Sequence, residues 1–192
     1  NGDATITMHY GNPSASAVSN GGATFEFFDD FEGTSLDTSK WDSETTDGSI
    51  SIADSKVRVH ADSGARQGAE IFTKNTFSPP LILEVRKASK STNSEGFMSV
   101  PCVFDNFEDP DQAFTDDFVT IYYQRDDIRL WNEKDGNREE TQVDGIAGTT
   151  ARDLKLIWTS SKVEGYYDGN LIATHTDTTK IPTNSRKIGI KW

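Results

Sequence analysis

The sequence predicts an all-β protein, folded as a two-sheet antiparallel jelly-roll sandwich. Short stretches with alternating apolar residues recur along the chain, and Gly, Pro, Asn and Asp separate them at intervals of about 8–12 residues. No segment shows the helical apolar period of about 3.6 residues. The chain has 192 residues, which is enough for one sandwich with a sizeable core.

The first predicted strand covers residues 4–10, where Ile6, Met8 and Tyr10 alternate with polar residues. Residues 11–24 are rich in Gly, Asn, Ser and Ala, as in a linker. We therefore predict two parts. An N-terminal strand with its linker occupies residues 1–24, and the sandwich occupies residues 25–192.

The sandwich is predicted to begin with a strand at the aromatic-rich residues 25–31, followed by an ordered loop that ends at Trp41. Pro101 predicts a sheet edge or a bulge. Turn residues predict hairpin turns at Asp54-Ser55, Asp135-Gly136 and Asp168-Gly169. The other predicted strands are the hairpin 49–60 and residues 70–77, 81–87, 96–104, 118–124, 128–131, 154–158, 163–167, 171–175 and 188–192.

Two segments carry a resemblance to a known superfamily. Residues 28–41, Phe-Asp-Asp-Phe-Glu-Gly-Thr-Ser-Leu-Asp-Thr-Ser-Lys-Trp, resemble the opening of concanavalin-A-like lectin/glucanase domains of secreted prokaryotic proteins. Residues 166–174, Tyr-Tyr-Asp-Gly-Asn-Leu-Ile-Ala-Thr, resemble a late hairpin of that superfamily. The resemblance implies a concanavalin-A-like jelly roll. Residues 3–13 look like the closing strand of an uncharacterised module of prokaryotic surface proteins, which implies an extracellular or cell-surface location.

The charge balance restricts the partners. The chain has 19 Lys and Arg against 31 Asp and Glu, for a net charge of −12. Nucleic acid and anionic membranes repel such a chain. The sequence contains no run of about 18 apolar residues, so membrane insertion is not predicted. Divalent cations and neutral sugars remain compatible with this charge. The single cysteine, Cys102, is predicted to be a small buried apolar residue.

The sequence lacks a recognisable catalytic motif. Glycoside hydrolysis needs a pair of carboxylates, and the retaining laminarinase-type members of the resembled superfamily carry a Glu-x-Asp-x-x-Glu run on one strand. This run does not occur here, and neither does a serine-nucleophile or zinc-protease motif. We therefore predict no catalytic residue and no enzymatic activity.

Acidic residues suggest two candidate calcium sites. The loop at residues 105–117 gathers six acids, with Asp105, Asp109 and Asp111 as the candidate ligands, because Ca²⁺ prefers carboxylate and carbonyl oxygens. A solvated acidic loop is the alternative. The resemblance implies a second structural Ca²⁺ site beside the first strand, at Asp30.

The predicted hairpin at residues 118–131 offers a candidate carbohydrate surface. Alternation places one set of its polar and aromatic side chains on a single face, and aromatic rings, amides and guanidinium groups suit sugar rings and hydroxyls. The alternative is that they cover the second face of a sheet under a loop. The set consists of Tyr122, Gln124, Arg129 and Trp131.

The resembled fold has a strand after residues 187–190 that this chain lacks, whereas residues 4–10 form an additional strand. An empty slot in a sheet favours strand addition. We therefore predict a non-catalytic surface filament subunit that donates Ile6, Met8 and Tyr10 to a neighbouring copy, with pairing inside its own chain as the alternative. A carbohydrate-binding module of a larger secreted protein is the second prediction, and a glycoside hydrolase with an unrecognised acid pair is the third.

Overall fold

A computed structural model describes residues 20–46, 48–61, 68–90, 97–104 and 117–191. The chain divides into two compact units, residues 1–30 and residues 31–192. The predicted strand at residues 4–10, with Ile6, Met8 and Tyr10, lies outside the described residues. Its pairing and the predicted domain boundaries therefore stay predictions.

The described part of the first unit is a single helical turn, α1 (Gly21–Thr24), followed by irregular chain. The Asn20 side chain caps the turn by accepting a hydrogen bond from the Ala23 amide at 3.0 Å. Phe25 stacks on Phe28 with ring centroids 5.9 Å apart, and the Phe28 ring lies where any side chain at Gly21 would clash. The predicted strand at residues 25–31 is wrong, because these rings pack on each other and on the turn instead of alternating across a sheet.

The described part of the second unit contains only strands and their connections. The thirteen strands found there are β1 (Trp41–Thr45), β2 (Gly48–Ala53), β3 (Lys56–Ala61), β4 (Ala69–Thr73), β5 (Leu81–Ala88), β6 (Phe97–Phe104), β7 (Phe118–Gln124), β8 (Asp127–Lys134), β9 (Asn137–Val143), β10 (Arg152–Trp158), β11 (Val163–Tyr167), β12 (Asn170–His175) and β13 (Lys187–Lys191).

The strands pair antiparallel in two main sheets. A seven-stranded sheet has the order β1-β4-β13-β6-β7-β8-β9, and a four-stranded sheet has the order β12-β11-β10-β5. The hairpin β2-β3 forms a separate two-stranded sheet, and its turn residues Asp54 and Ser55 both have positive φ angles, near 52° and 53°. The prediction of an all-β, two-sheet antiparallel sandwich is confirmed.

Apolar side chains from the two main sheets meet in one core. On β7 and β8 every second residue faces the four-stranded sheet, as the two-residue period of a strand requires. The sheets approach closely at Gly165, where a Cβ atom would lie 2.9 Å from a Leu130 methyl group. The largest fully buried apolar side chains of this core are Ile121, Tyr123, Ile128, Leu130, Leu154, Leu156, Trp158 and Ile181.

One prediction about a strand is confirmed, and two strands were missed. The sequence places Pro101 at an edge or a bulge, and the register shift between Ser99 and Cys102 confirms a bulge. The strand itself, β6, is the central strand of the seven and not an edge. The strands β1 and β9 were not predicted, because edge strands with polar sequences lack the apolar alternation that identifies a strand.

A buried polar network links the two sheets at one side of the core. His175 on β12 is 2% exposed, and its Nδ1 lies 2.5 Å from Asn132 Oδ1 on β8. Because an amide oxygen only accepts, Nδ1 carries the hydrogen and donates it. The neutral ring then accepts at Nε2 from the Thr141 hydroxyl on β9, 2.9 Å away. Asn132 in turn donates to the Lys180 carbonyl oxygen at 2.8 Å.

This network makes stability depend on pH. Burial lowers the pKa of His175 below its ordinary value of 6.5, the nearby Glu139 raises it in part, and Lys180 lowers it. A histidine with a depressed pKa contributes stability above the unfolded pKa and loses that contribution as the pH falls. We expect the free energy of unfolding to decrease between about pH 7.5 and about pH 5, by at most about 1.4 kcal/mol per pH unit for this group. Urea titrations at the two pH values measure the change.

The control for this prediction is His175→Gln, which removes the titrating group from the same position. In this variant the free energy of unfolding should decrease less between the two pH values than it does in the parent chain. Equal pH dependence in the two proteins would contradict the assignment to His175.

Candidate functional site

The candidate site lies on the outer face of the seven-stranded sheet, which is the face directed away from the four-stranded sheet. Tyr122 on β7 is paired with Arg129 on β8, and Thr120 is paired with Trp131 in the same ladder. Gln124 lies on the same face of β7, two residues after Tyr122. The structure therefore brings the four predicted carbohydrate residues to one face, and their role stays a prediction.

A chain of aromatic rings crosses this face. Phe104 on β6 stacks on Phe118 on β7 with ring centroids 5.5 Å apart. The Phe118 ring meets the edge of Trp131 on β8 at 4.7 Å, and Tyr122 tilts against the same indole at 5.5 Å. Phe104, Phe118 and Tyr122 are buried, whereas Trp131 is partly exposed. Trp131 is thus the ring of this row that can present a surface to a ligand.

Polar side chains on β8 and β9 adjoin the indole. The hydroxyl of Tyr122 donates to Glu140 Oε1 at 2.7 Å. The Arg129 guanidinium donates to the same carboxylate oxygen at 2.5 Å and to Asp127 Oδ2 at 3.2 Å. Glu140 lies directly opposite Trp131 in the β8-β9 ladder. These contacts hold a carboxylate and a guanidinium in fixed positions beside a partly exposed indole.

The same contacts set the charges of the network. Burial raises the pKa of Glu140, but hydrogen bonds from Arg129 and Tyr122 outweigh burial and leave that pKa below its usual value. Burial lowers the pKa of Arg129, yet the hydrogen bond to Glu140 and the nearby groups raise it overall. Burial also raises the pKa of Tyr122 well above its usual value, so the hydroxyl stays a donor. At neutral pH the Glu140–Arg129 pair therefore consists of an anion and a cation.

The structure changes the roles expected for the predicted set. Tyr122 is 2% exposed, so its ring supports Trp131 from below instead of facing a ligand. Sequence reasoning missed Glu140 and Gln142, which reach this face from β9 opposite Trp131 and Arg129. The Asp135-Gly136 turn after β8 was the available signal, because a hairpin turn requires a returning strand.

Ser99, Cys102 and Phe104 of the central strand β6 lie on this same outer face of the seven-stranded sheet. The sequence of β6 contains no carboxylate. Burial raises the pKa of Cys102 well above its usual value, which agrees with the predicted buried thiol. A carboxylate does approach the same face from β4, where Glu70 is fully buried.

The predicted metal residues are not brought together by the described part of the structure. Asp105, Asp109 and Asp111 lie outside the described residues, and Asp30 belongs to the first compact unit. Within the described ranges no three His, Cys, Asp or Glu side chains are positioned to share a metal ion. Calcium binding therefore stays a prediction.

The outer face of the four-stranded sheet has a shallow depression of about 200 Å³. Its lining includes Tyr166, with the Lys155 ammonium 4.5 Å from the ring centroid. Glu84 and Lys155 are directly paired across the β5-β10 ladder. This face provides a partly exposed tyrosine, remote from Trp131, for comparison in binding experiments.

Comparison with solved structures identifies the architecture. The Bacillus licheniformis beta-glucanase superposes with a TM-score of 0.63 at 18% identity, covering 85% of this chain and 82% of that chain. A prokaryotic beta-1,3-1,4-glucanase (lichenase) from a mouse hindgut metagenome has a TM-score of 0.63 at 17% identity, with 84% and 82% covered. The second unit has a concanavalin-A-like jelly-roll fold. Beta-agarase A, solved in complex with oligoagarose, shares this jelly roll with a TM-score of 0.62 at 15% identity, with 84% and 77% covered.

Sequence comparison adds one finding at the N-terminus. Residues 1–44 match a family described as a domain of unknown function, DUF2341. This agrees with the expected uncharacterised module before the jelly roll. No curated protein sequence matches the chain.

These comparisons contradict two predictions. The sequence predicted a non-catalytic filament subunit assembled by strand donation, and it predicted no enzymatic activity. The solved structures that share the jelly roll are instead glucanases, an agarase and a transglycosylase. The proteins that share the fold are carbohydrate-active, which agrees with the second prediction from the sequence and not with the filament. Among the described residues, no helix has the length and apolar character needed to cross a membrane.

Proposed function

We propose that this chain is a carbohydrate-active domain that binds a polysaccharide on the outer face of its seven-stranded sheet. The observation that carries the proposal is the partly exposed Trp131 indole beside the fixed Arg129–Glu140 pair. An indole offers an apolar surface to a sugar ring, and a bonded carboxylate and guanidinium offer an acceptor and donors for hydroxyls. The agarase with this fold is described with an oligosaccharide bound, which supports the ligand class.

The fixed geometry of the polar pair supports the proposal further. A binding group that is already ordered loses less conformational entropy when the ligand arrives. Arg129 is held by two carboxylates and Glu140 by two donors, so neither side chain must be immobilised by the sugar. Gln142, opposite Arg129 on β9, extends the polar surface by one more amide.

Binding to soluble β-glucan and agarose oligosaccharides tests the proposal, by calorimetry together with an assay for newly released reducing ends. Removing a central aromatic contact typically costs about 2 kcal/mol or more, so Trp131→Ala should weaken binding by roughly 30-fold or more. The reducing-end assay determines whether the bound chain is also cleaved.

The matched control is Tyr166→Ala, which removes a partly exposed aromatic ring from the opposite sheet. This variant should bind the responding oligosaccharide as the parent chain does. The proposal is wrong if Trp131→Ala and the parent chain bind all tested glycans equally, or if none of the glycans binds the parent chain.

A further inference from the structure

Three charged side chains lie side by side on neighbouring strands, on the outer face of the seven-stranded sheet and two strands away from Tyr122 of the proposed sugar site. Glu44 on β1 is directly opposite Glu70 on β4, and Glu70 is directly opposite Lys191 on β13. Directly opposite residues of antiparallel strands project from the same face with Cβ atoms about 4.5–5.5 Å apart. The ladder therefore aligns two carboxylates and one amine across three adjacent strands.

The central contact of this row is buried. Lys191 Nζ lies 3.2 Å from Glu70 Oε2, and the two side chains are 13% and 0% exposed. The neighbouring Cys102 thiol on β6 is also fully buried, and it is close enough for both charges to influence its pKa. The amine and the carboxyl group are thus in contact in a region that excludes most water.

We propose that Lys191 and Glu70 condense to an intramolecular amide that crosslinks β13 to β4, with Glu44 as the proton carrier. A buried ammonium and carboxylate have lost their hydration, and proton transfer from Nζ to the carboxylate yields a neutral amine and a neutral acid. These neutral forms are the reactive ones, since the free electron pair on Nζ can attack the carboxyl carbon Cδ of Glu70.

The atoms balance without any further reagent. The Nζ–Cδ bond forms, the nitrogen gives up a proton, and the Cδ–OH bond of Glu70 breaks with release of one water molecule. Glu44 takes the proton from nitrogen and returns it to the departing oxygen, so Glu44 is unchanged at the end. The ladder already holds the two reacting groups in contact, with Nζ 3.2 Å from Oε2, which replaces an encounter between separate groups.

The product would join two neighbouring interior strands of the sheet that are far apart in the chain. A covalent link of this kind restricts the unfolded chain and lowers its entropy, so it stabilises the folded sheet. The inference is independent of the proposed carbohydrate function, because Glu70 and Lys191 lie on β4 and β13 whereas the sugar site lies on β7, β8 and β9.

The test is the intact mass of the purified chain, measured after unfolding. We expect a mass below that of the sequence by one water molecule, and a branched peptide that contains both Glu70 and Lys191 after proteolysis. Lys191→Arg keeps a cation beside Glu70 but cannot form this amide, so it should show the full sequence mass. A full sequence mass in the parent chain would overturn the proposal.

A matched control separates burial from simple proximity. Lys74 Nζ contacts Asp42 Oδ1 at 2.5 Å on the same sheet, but the two side chains are 42% and 41% exposed. Lys74→Arg should therefore keep the loss of one water. A water loss that persists in Lys191→Arg would arise elsewhere in the chain and would refute the crosslink.

The role of Glu44 has its own readout. General acid–base catalysis contributes about 10²–10⁴-fold, so Glu44→Gln should leave most of the chain without the crosslink when it is harvested soon after synthesis. A complete crosslink in freshly made Glu44→Gln would remove Glu44 from the mechanism.

Discussion

Asp117→Ala is expected to lower the free energy of unfolding by about 3–5 kcal/mol, because it removes the carboxylate that balances a buried guanidinium. The Arg186 side chain is 0% exposed, and its Nη2 donates to Asp117 Oδ2 at 3.0 Å. Burial lowers the pKa of Arg186 to about 10, which expresses the cost of holding this charge away from water. Denaturant titration of the purified variant measures the loss.

The second carboxylate oxygen of Asp117 adds to the stability that Asp117→Ala should lose. Asp117 Oδ1 accepts a hydrogen bond from the Asp135 amide at 2.6 Å, in the turn that joins β8 to β9. Asp117→Asn keeps an acceptor for that amide while it removes the charge, so its loss should be smaller than that of Asp117→Ala.

Replacing both partners separates the charge effect from packing. The double variant Asp117→Ala with Arg186→Met removes the buried charge together with its partner, and it should recover a large part of the lost stability. If the double variant is as unstable as the sum of the single variants, the ion pair is not the cause of the Asp117→Ala defect.

Trp158→Ala is the second large effect that we expect, also about 3–5 kcal/mol. Trp158 on β10 is 0% exposed and packs between the two main sheets. Its indole Nε1 donates to the Pro182 carbonyl oxygen at 2.8 Å, so it also fixes the connection that leads to β13. The substitution leaves a cavity and removes the donor of a buried carbonyl group.

Two variants calibrate this result in the same denaturation experiment. Trp158→Phe keeps part of the ring volume but loses the donor, so its effect should be intermediate. Ile157→Ala changes the adjacent residue, which faces away from the core and is partly exposed, and it should cost much less. Equal losses for Trp158→Ala and Ile157→Ala would show that Trp158 is not an anchor of the core.

The sequence predicted best those strands that face the core. On β8 and β10 the alternation of large apolar residues with polar ones reflects burial on one side, and burial determines their positions. The strand β9 has the sequence Asn-Arg-Glu-Glu-Thr-Gln-Val, which carries no such alternation. Its identity as a strand depends on the hydrogen bonds that β8 offers to it, and these are a tertiary effect.

The candidate site was predictable to the same extent. Tyr122, Arg129 and Trp131 were predicted together because they share one face of a recognisable hairpin. Glu140 was not predicted, because it lies on the unpredicted strand β9. The burial of Tyr122 could not be predicted from the sequence either, since a two-residue period tells which residues share a face and not which of them are covered.

The strand order has a consequence for the behaviour of the protein in concentrated solution. In the described structure β1 and β9 border one main sheet and β5 and β12 border the other, and such borders expose backbone groups that can recruit a foreign strand. Charged residues stand on three of these borders: Asp42 and Glu44 on β1, Glu84, Arg86 and Lys87 on β5, and Arg138, Glu139 and Glu140 on β9. A second chain that paired there would have to bring its own side chains against these charges and strip water from them. The polar sequence of β9, which prevented its prediction as a strand, therefore also protects the sheet against amyloid-like growth.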